Sequence, residues 1–151
     1  MSNSLLDLAT LSVGLLVLRV VAGLLMAAHG SQKLFGWFGG HGIAGTGMYF
    51  ESIGFRPGHL FARVASTTEI VSGLLVALGL LGPVGPALML SVMIVAAVSV
   101  HWKNGLFAMS NGIEVALFYG TVAVGLALTG FGRYSLDALL GLQSLYTPTW
   151  A

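Results

Sequence analysis

Six of the ionisable side chains within or beside long apolar stretches of this chain are candidate site residues. They are Arg19, His29, Lys33, Glu69, His101 and Glu114. A charged side chain at the centre of a bilayer costs about 2.5–3.5 kcal/mol on insertion scales, so such a residue marks a functional site by default. Imidazole and ammonium groups donate hydrogen bonds, and carboxylates take up and release protons. These residue types therefore favour hydrogen bonding and proton relay to a ligand inside a membrane.

The spacing of these residues places most of them on faces that also carry small residues. At about 100° per residue, three narrow helical stripes result: Arg19, Ala22, Met26, His29 and Lys33 on the first helix; Ser66, Glu69, Gly73 and Ala77 on the second; and Glu114, Thr121 and Gly125 on the fourth. Small residues let transmembrane helices approach closely. We therefore predict that all three stripes face inward.

The helical rise of about 1.5 Å per residue predicts the depth of each group below one membrane face. Lys33, His101 and Glu114 lie within about the first turn, His29 about 9 Å down and Glu69 about 13–16 Å down. These five residues lie in one half of the membrane, and their convergence predicts a polar pocket there. Arg19 lies deeper, about 24 Å from the same face. Charge balance predicts that Arg19 or Lys33 pairs with Glu69, and that His29 or His101 pairs with Glu114.

A purely structural reading of the same residues remains open. Lys33 can extend its ammonium group to the interface, and His101 can cap a helix C-terminus, where positive groups are favoured. Glu114 can equally cap the start of the fourth helix. A pair between Arg19 and Glu69 can set helix register without any chemistry.

The amino-acid composition indicates that these helices lie in a membrane. The 151 residues include 11 charged side chains, 7% of the total, and 56% are hydrophobic, with a mean hydropathy of +0.93. Average usage is about 25% charged, so the chain is not an ordinary soluble or disordered protein. The net charge of +1 excludes an electrostatic nucleic-acid binder. Without cysteine, disulfides, thiolate metal sites and dithiol chemistry are excluded, and we assign no metal ligand.

Four apolar windows are long enough to approach or span a bilayer. They cover about residues 8–34, 60–81, 84–101 and 113–131, and an amphipathic segment at about 46–55 reads as a short helix lying in the membrane interface. We predict a single all-α domain over residues 1–151, a membrane-embedded four-helix bundle with a short interfacial helix in the first loop. Its first partner is the lipid bilayer.

Several stretches in order resemble the DoxX family of small four-helix membrane proteins. They are Leu18-Arg-Val-Val-Ala-Gly23, His29-Gly-Ser-Gln-Lys-Leu-Phe35, Glu69-Ile-Val-Ser-Gly-Leu-Leu-Val-Ala-Leu-Gly79, His101, Asn111-Gly-Ile-Glu114 and Thr129-Gly-Phe-Gly-Arg-Tyr-Ser-Leu-Asp137. The resemblance covers about residues 12–138. It implies a multi-pass protein of a prokaryotic inner membrane. Relatives include a subunit of an archaeal thiosulfate:quinone oxidoreductase, and others are associated with membrane redox complexes.

Together, the residues and the resemblance favour a quinone-interacting subunit of a membrane oxidoreductase complex. Glu69, Glu114 and His29 would be the catalytic residues that transfer protons. The residues that would bind the quinone are Arg19, His29, Lys33, Glu69, His101 and Glu114. The chain has no flavin motif and no iron–sulfur ligand, so a partner subunit would deliver the electrons, with a homo-oligomer as the other assembly. Haem on His29 and His101 is disfavoured, because their depths differ by about 6 Å.

Two other function classes remain open from the sequence. One is a binding or transport module that uses the same pocket for another small lipophile or an ion. The other is a structural membrane anchor that recruits a soluble enzyme.

Overall fold

A computed structural model describes residues 2–146 of the chain, and the side chains of residues 7–146. All of the secondary structure within that range is helical. The helices are α1 (Ser2–Phe35), α2 (Gly42–Ser52), α3 (Gly58–Leu78), α4 (Val84–Ala96), α5 (Glu114–Thr129) and α6 (Leu136–Leu139). A π-helical turn, Ala97–His101, continues α4 before short 3-10 turns lead towards α5.

Three helical stretches are long and apolar enough to cross a membrane. They are Asp7–Phe35, Gly58–Leu78 and Val84–Asn104, and the shorter apolar helix α5 follows them. Large apolar side chains are exposed along their outer faces, as expected where the solvent is lipid rather than water. The prediction of an all-α integral membrane protein is confirmed at this level.

Helices α1 and α3 pack against each other with almost no space between their backbones. A Cβ atom added to Gly23 would lie 2.5 Å from both the amide nitrogen of Ala77 and the carbonyl oxygen of Gly73. A Cβ atom on Gly73 would meet the carbonyl oxygen of Gly23 at 2.5 Å. Glycine at both positions therefore permits the crossing, in the way that small residues permit close packing in membranes. The predicted inward stripes of α1 and α3 both face this contact.

Helix α4 lies between α3 and α5, and α1 closes the core from the other side. The core consists of apolar side chains from α1, α3, α4, α5 and the segment that follows α5: Ala22, Met26, Val76, Met89, Met93, Ala116, Tyr119, Val122, Ala123, Leu126 and Phe131. The buried face of α5 combines small residues, such as Ala116 and Ala123, with the larger Tyr119 and Leu126. The prediction that Glu114, Thr121 and Gly125 face inward is wrong, since all three are exposed. The ring of Tyr119 takes the inward direction instead.

The chain beyond α5 folds back over the turn that joins α3 and α4. The buried carboxylate of Asp137 accepts hydrogen bonds from the backbone amides of Leu81, at 2.9 Å, and Gly82, at 2.6 Å. The Asp137 amide in turn donates to the carbonyl oxygen of Gly79. This segment satisfies backbone groups that would otherwise be unpaired at the helix ends. It therefore stabilises the turn between the C-terminus of α3 and the N-terminus of α4.

The close crossing of α1 and α3 predicts that Gly23→Ala destabilises the fold by about 1–3 kcal/mol, because one methyl group overpacks a backbone contact. Gly14→Ala is the matched control on the same helix, since a Cβ atom there meets nothing within 4 Å. Thermal unfolding of both variants in mild detergent measures the difference. Equal midpoints for the two variants would contradict the tight crossing.

Candidate functional site

The Lys33 ammonium group donates a hydrogen bond to the carboxylate of Glu69 and joins α1 to α3. Glu69 lies about 16 Å along α3 from the first residue of that helix. The side chain of Glu69 is 1% exposed. The side chain of Lys33 is 37% exposed and lies near the end of α1. The pair therefore links a deeply buried carboxylate to a cation that reaches the protein surface.

Only one oxygen of the Glu69 carboxylate has a partner. Its Oε1 atom accepts from Lys33, while Oε2 is buried and makes no hydrogen bond with the described part of the protein. A buried acceptor left unpaired costs roughly 1–3 kcal/mol, and more when it is charged. Such a group in a native structure needs a specific explanation, and a bound ligand is one of them.

Two aromatic rings lie close to this carboxylate. His29 on α1 meets Tyr119 on α5 edge-on, with ring centroids 5.9 Å apart. Glu69 is near enough to interact electrostatically with both rings. Neither the imidazole nitrogens of His29 nor the hydroxyl group of Tyr119 hydrogen-bonds to another described residue. Hydrogen-bonding capacity from three helices is thus concentrated around Glu69. We call His29, Lys33, Glu69 and Tyr119 the polar cluster.

A polar pocket of about 250 Å³ opens beside Lys33. It is lined by Gln32, Lys33, Gly39, Gly40, His41 and Thr46. The hydroxyl of Thr46 on α2 donates to the carbonyl oxygen of Lys33 at 3.2 Å, which holds α2 over the end of α1. The amide of Gln32 donates to the carbonyl oxygen of Phe38. The loop and α2 together therefore shape an opening that Lys33 lines and Glu69 does not.

The structure brings three of the six residues selected from the sequence together: His29, Lys33 and Glu69. Of the two partners predicted for Glu69, the actual one is Lys33. Arg19 lies about 21 Å away from Lys33 along α1, where it donates to the carbonyl oxygens of Ala77 and Tyr134. The last carbonyl groups of a helix carry partial negative charge, so the C-terminal end of α3 provides one acceptor for this buried guanidinium group, and the segment after α5 provides the other.

His101 and Glu114 bind the loop that precedes α5 and not the polar cluster. The carboxylate of Glu114 accepts from the amide of Ala108 at 2.7 Å, and Nδ1 of His101 lies 2.8 Å from the carbonyl oxygen of Asn111. The predicted pairing of His29 or His101 with Glu114 is wrong. The loop backbone supplies nearer partners, and the exposed position of Glu114 removes the need for a buried counter-ion.

Tyr119 is the residue of the cluster that sequence reasoning missed. Its phenol is neutral, so a search for charged groups in apolar windows does not select it, although its hydroxyl group is polar. A signal was present: Ala116 and Ala123 lie three residues before and four residues after Tyr119, on one face of α5. A tyrosine flanked in this way by small residues is a candidate for the helix face that packs inward.

A second cavity of about 590 Å³ runs along the outer side of α4 and α5. Its lining is apolar and includes Met93, Leu117 and Gly120, and the π-helical turn with Trp102 forms one end. The hydroxyl of Thr121 in this groove already donates to the carbonyl oxygen of Leu117. The groove contains no residue of the polar cluster, so it is chemically separate from the pocket at Lys33.

Comparison with protein-family models matches residues 14–102, more than half of the chain, to DoxX. The match includes α1 from residue 14 onward and all of α2, α3 and α4, and thus His29, Lys33 and Glu69. Comparisons with curated proteins and with solved structures find no match.

The ion pair predicts that Lys33→Met lowers stability by about 1–3 kcal/mol, because it leaves a buried carboxylate without its partner. Adding Glu69→Gln to that variant should recover most of the loss, since no unpaired charge remains at this position. Unfolding midpoints in mild detergent measure both effects, and Lys103→Met in the exposed loop is the control. A double variant no more stable than Lys33→Met would show that the Glu69 charge is compensated in some other way.

Proposed function

Because this chain belongs to the DoxX family, we propose that it is a four-span protein of a prokaryotic inner membrane that binds a quinone. In this proposal it serves as a subunit of a membrane oxidoreductase complex. The observation that carries the proposal is the carboxylate of Glu69, which is buried inside a span, tethered by Lys33 on one oxygen and unpaired on the other. A quinone site needs hydrogen-bond donors and proton-exchanging groups in apolar surroundings, and the polar cluster offers both.

Helix α5 is the fourth span in this proposal. Its 16 residues extend about 24 Å, less than the roughly 30 Å of a typical hydrocarbon core. A short span is accommodated by local thinning of the bilayer at a modest cost. Its inner face supplies Tyr119 and five further buried residues to the core, which supports a spanning position over one at the membrane surface.

Each residue of the cluster has a distinct part in the proposed chemistry. Lys33 has three ammonium donors, of which one is used on Glu69, and another donates to an oxygen on the ring of the ligand. Glu69 and His29 exchange the two protons that accompany reduction of a quinone or oxidation of its quinol. The two electrons pass between the ring and a partner subunit, because a chain without cysteine cannot hold an iron–sulfur cluster through thiolates.

A second candidate function is a binding module for another small lipophile. The apolar groove along α4 and α5 favours this candidate, since its volume of about 590 Å³ lies within the range of about 300–1,000 Å³ that ligand pockets occupy. Such a module would have no redox partner and would use the polar cluster only to orient its ligand.

The experiment is to purify the full chain in mild detergent from a quinone-producing bacterium, extract it with organic solvent and quantify quinone per protein. We expect retention by the wild type and a roughly tenfold loss of affinity for the reduced form in Glu69→Gln, because the hydrogen bond that a ligand hydroxyl donates to the charged carboxylate is removed. His29→Ala should also lose quinone. Glu51→Gln is the matched control: Glu51 lies on α2 and accepts from the amide of Gly58, a role that the glutamine oxygen keeps.

The other outcomes separate the competing functions. An extract that contains a different lipophile and no quinone would replace the proposal with the second candidate. An extract without any ligand, together with unchanged copurifying proteins in all variants, would instead indicate a membrane anchor.

A further inference from the structure

Both members of the Lys33–Glu69 pair have unused hydrogen-bonding capacity: Lys33 has spare donors and Glu69 has a spare acceptor. Lys33 has three donors, of which one is used on Glu69 Oε1. Glu69 Oε2 is an acceptor with no donor in the described protein. Any ligand that completes the site must therefore supply a hydrogen to Oε2, and it can accept one from Lys33.

The charge of the pair limits the class of ligand. The ammonium group already compensates the carboxylate, so the pair as a whole is neutral and has no excess charge to attract a cation or an anion. Among the described residues, Lys33 is the only basic group within ion-pair distance of Glu69, and the Ser72 hydroxyl donates to the backbone carbonyl of Glu69 rather than to its carboxylate. The fitting ligand is a neutral molecule with a hydroxyl group that donates and accepts at one atom.

The two redox forms of a quinone differ in this respect. The carbonyl oxygens of the oxidised form only accept hydrogen bonds, so they can engage Lys33 but leave Oε2 unpaired. A quinol hydroxyl accepts from Lys33 through its oxygen and donates its hydrogen to Oε2. The reduced form thus satisfies both sides of the pair, whereas the oxidised form satisfies one.

We propose that the Lys33–Glu69 site selects the quinol over the quinone. The inference rests on the proposed function and adds which redox form the site holds. A hydrogen bond to a charged acceptor corresponds to roughly a 10- to 100-fold difference in affinity. The same hydrogen bond places the quinol hydroxyl proton against Glu69, the group positioned to receive it when the ring is oxidised.

The test measures binding of a short-chain benzoquinone and of its hydroquinone to the purified full chain by equilibrium dialysis under anaerobic conditions. We expect the hydroquinone to bind at least about tenfold more tightly to the wild type. In Glu69→Gln the preference should fall or reverse, because the amide adds an N–H donor that a carbonyl oxygen can use. Glu51→Gln should keep the wild-type preference.

The failures of the two proposals are distinguishable. If both forms bind with equal affinity, or the quinone binds more tightly, and binding still requires Glu69, the redox selectivity is overturned and the proposed function stands. If the wild type binds neither form, both proposals are overturned. A preference for the hydroquinone that survives unchanged in Glu69→Gln would assign the selectivity to another residue and would also overturn this inference.

Discussion

The ion pair between Lys33 and Glu69 is the interaction on which the candidate site depends. A carboxylate 1% exposed inside an apolar span is tolerable when a cation compensates it, because an isolated charge in such a medium is strongly penalised. Lys33 can serve because it lies near the end of α1, where its long side chain reaches inward while part of it stays exposed. Removing either group changes the electrostatics of the whole cluster, since Glu69 also interacts with His29 and Tyr119.

The pair forms because the backbones of α1 and α3 come close together. Gly23 and Gly73 remove the side chains that would hold the helices apart, and the polar faces of both helices then meet along the same line. Arg19 and Asp137 hold the opposite end, where they satisfy carbonyl and amide groups of the α3–α4 region. At that end the described polar side chains bond mainly to the backbone, although Arg19 Nε has no partner among them. At the other end Glu69 Oε2 is buried without a partner in the described part of the chain, beside a pocket lined by Lys33, which is why the proposed ligand is assigned there.

The polar pocket and the apolar groove lie in different parts of the molecule and differ in the polarity of their lining. The pocket lies beside α1 and α2 and contacts Lys33, whereas the groove lies on α4 and α5 and has its polar hydroxyl group already satisfied. Specific recognition of a ligand head group requires convergent polar groups in an apolar site. Among the described residues, the pocket at Lys33 and the polar cluster supply such groups, so the proposed chemistry is assigned there even though the groove is larger.

Composition and periodicity by themselves determined the membrane class, the all-helical fold and the inward faces of α1 and α3. A helix with one dominant polar stripe has one favourable orientation in lipid, so the stripes carrying His29 and Glu69 were predictable. The tertiary structure alone decided that Lys33 and not Arg19 pairs with Glu69, that Tyr119 joins the cluster, and that Glu114 stays outside it. Periodicity gives angles around a single helix, but pairing depends on the rotation and depth of one helix relative to its neighbours. Those are determined by packing between residues far apart in sequence, which for α5 favoured an aromatic ring over a charged group.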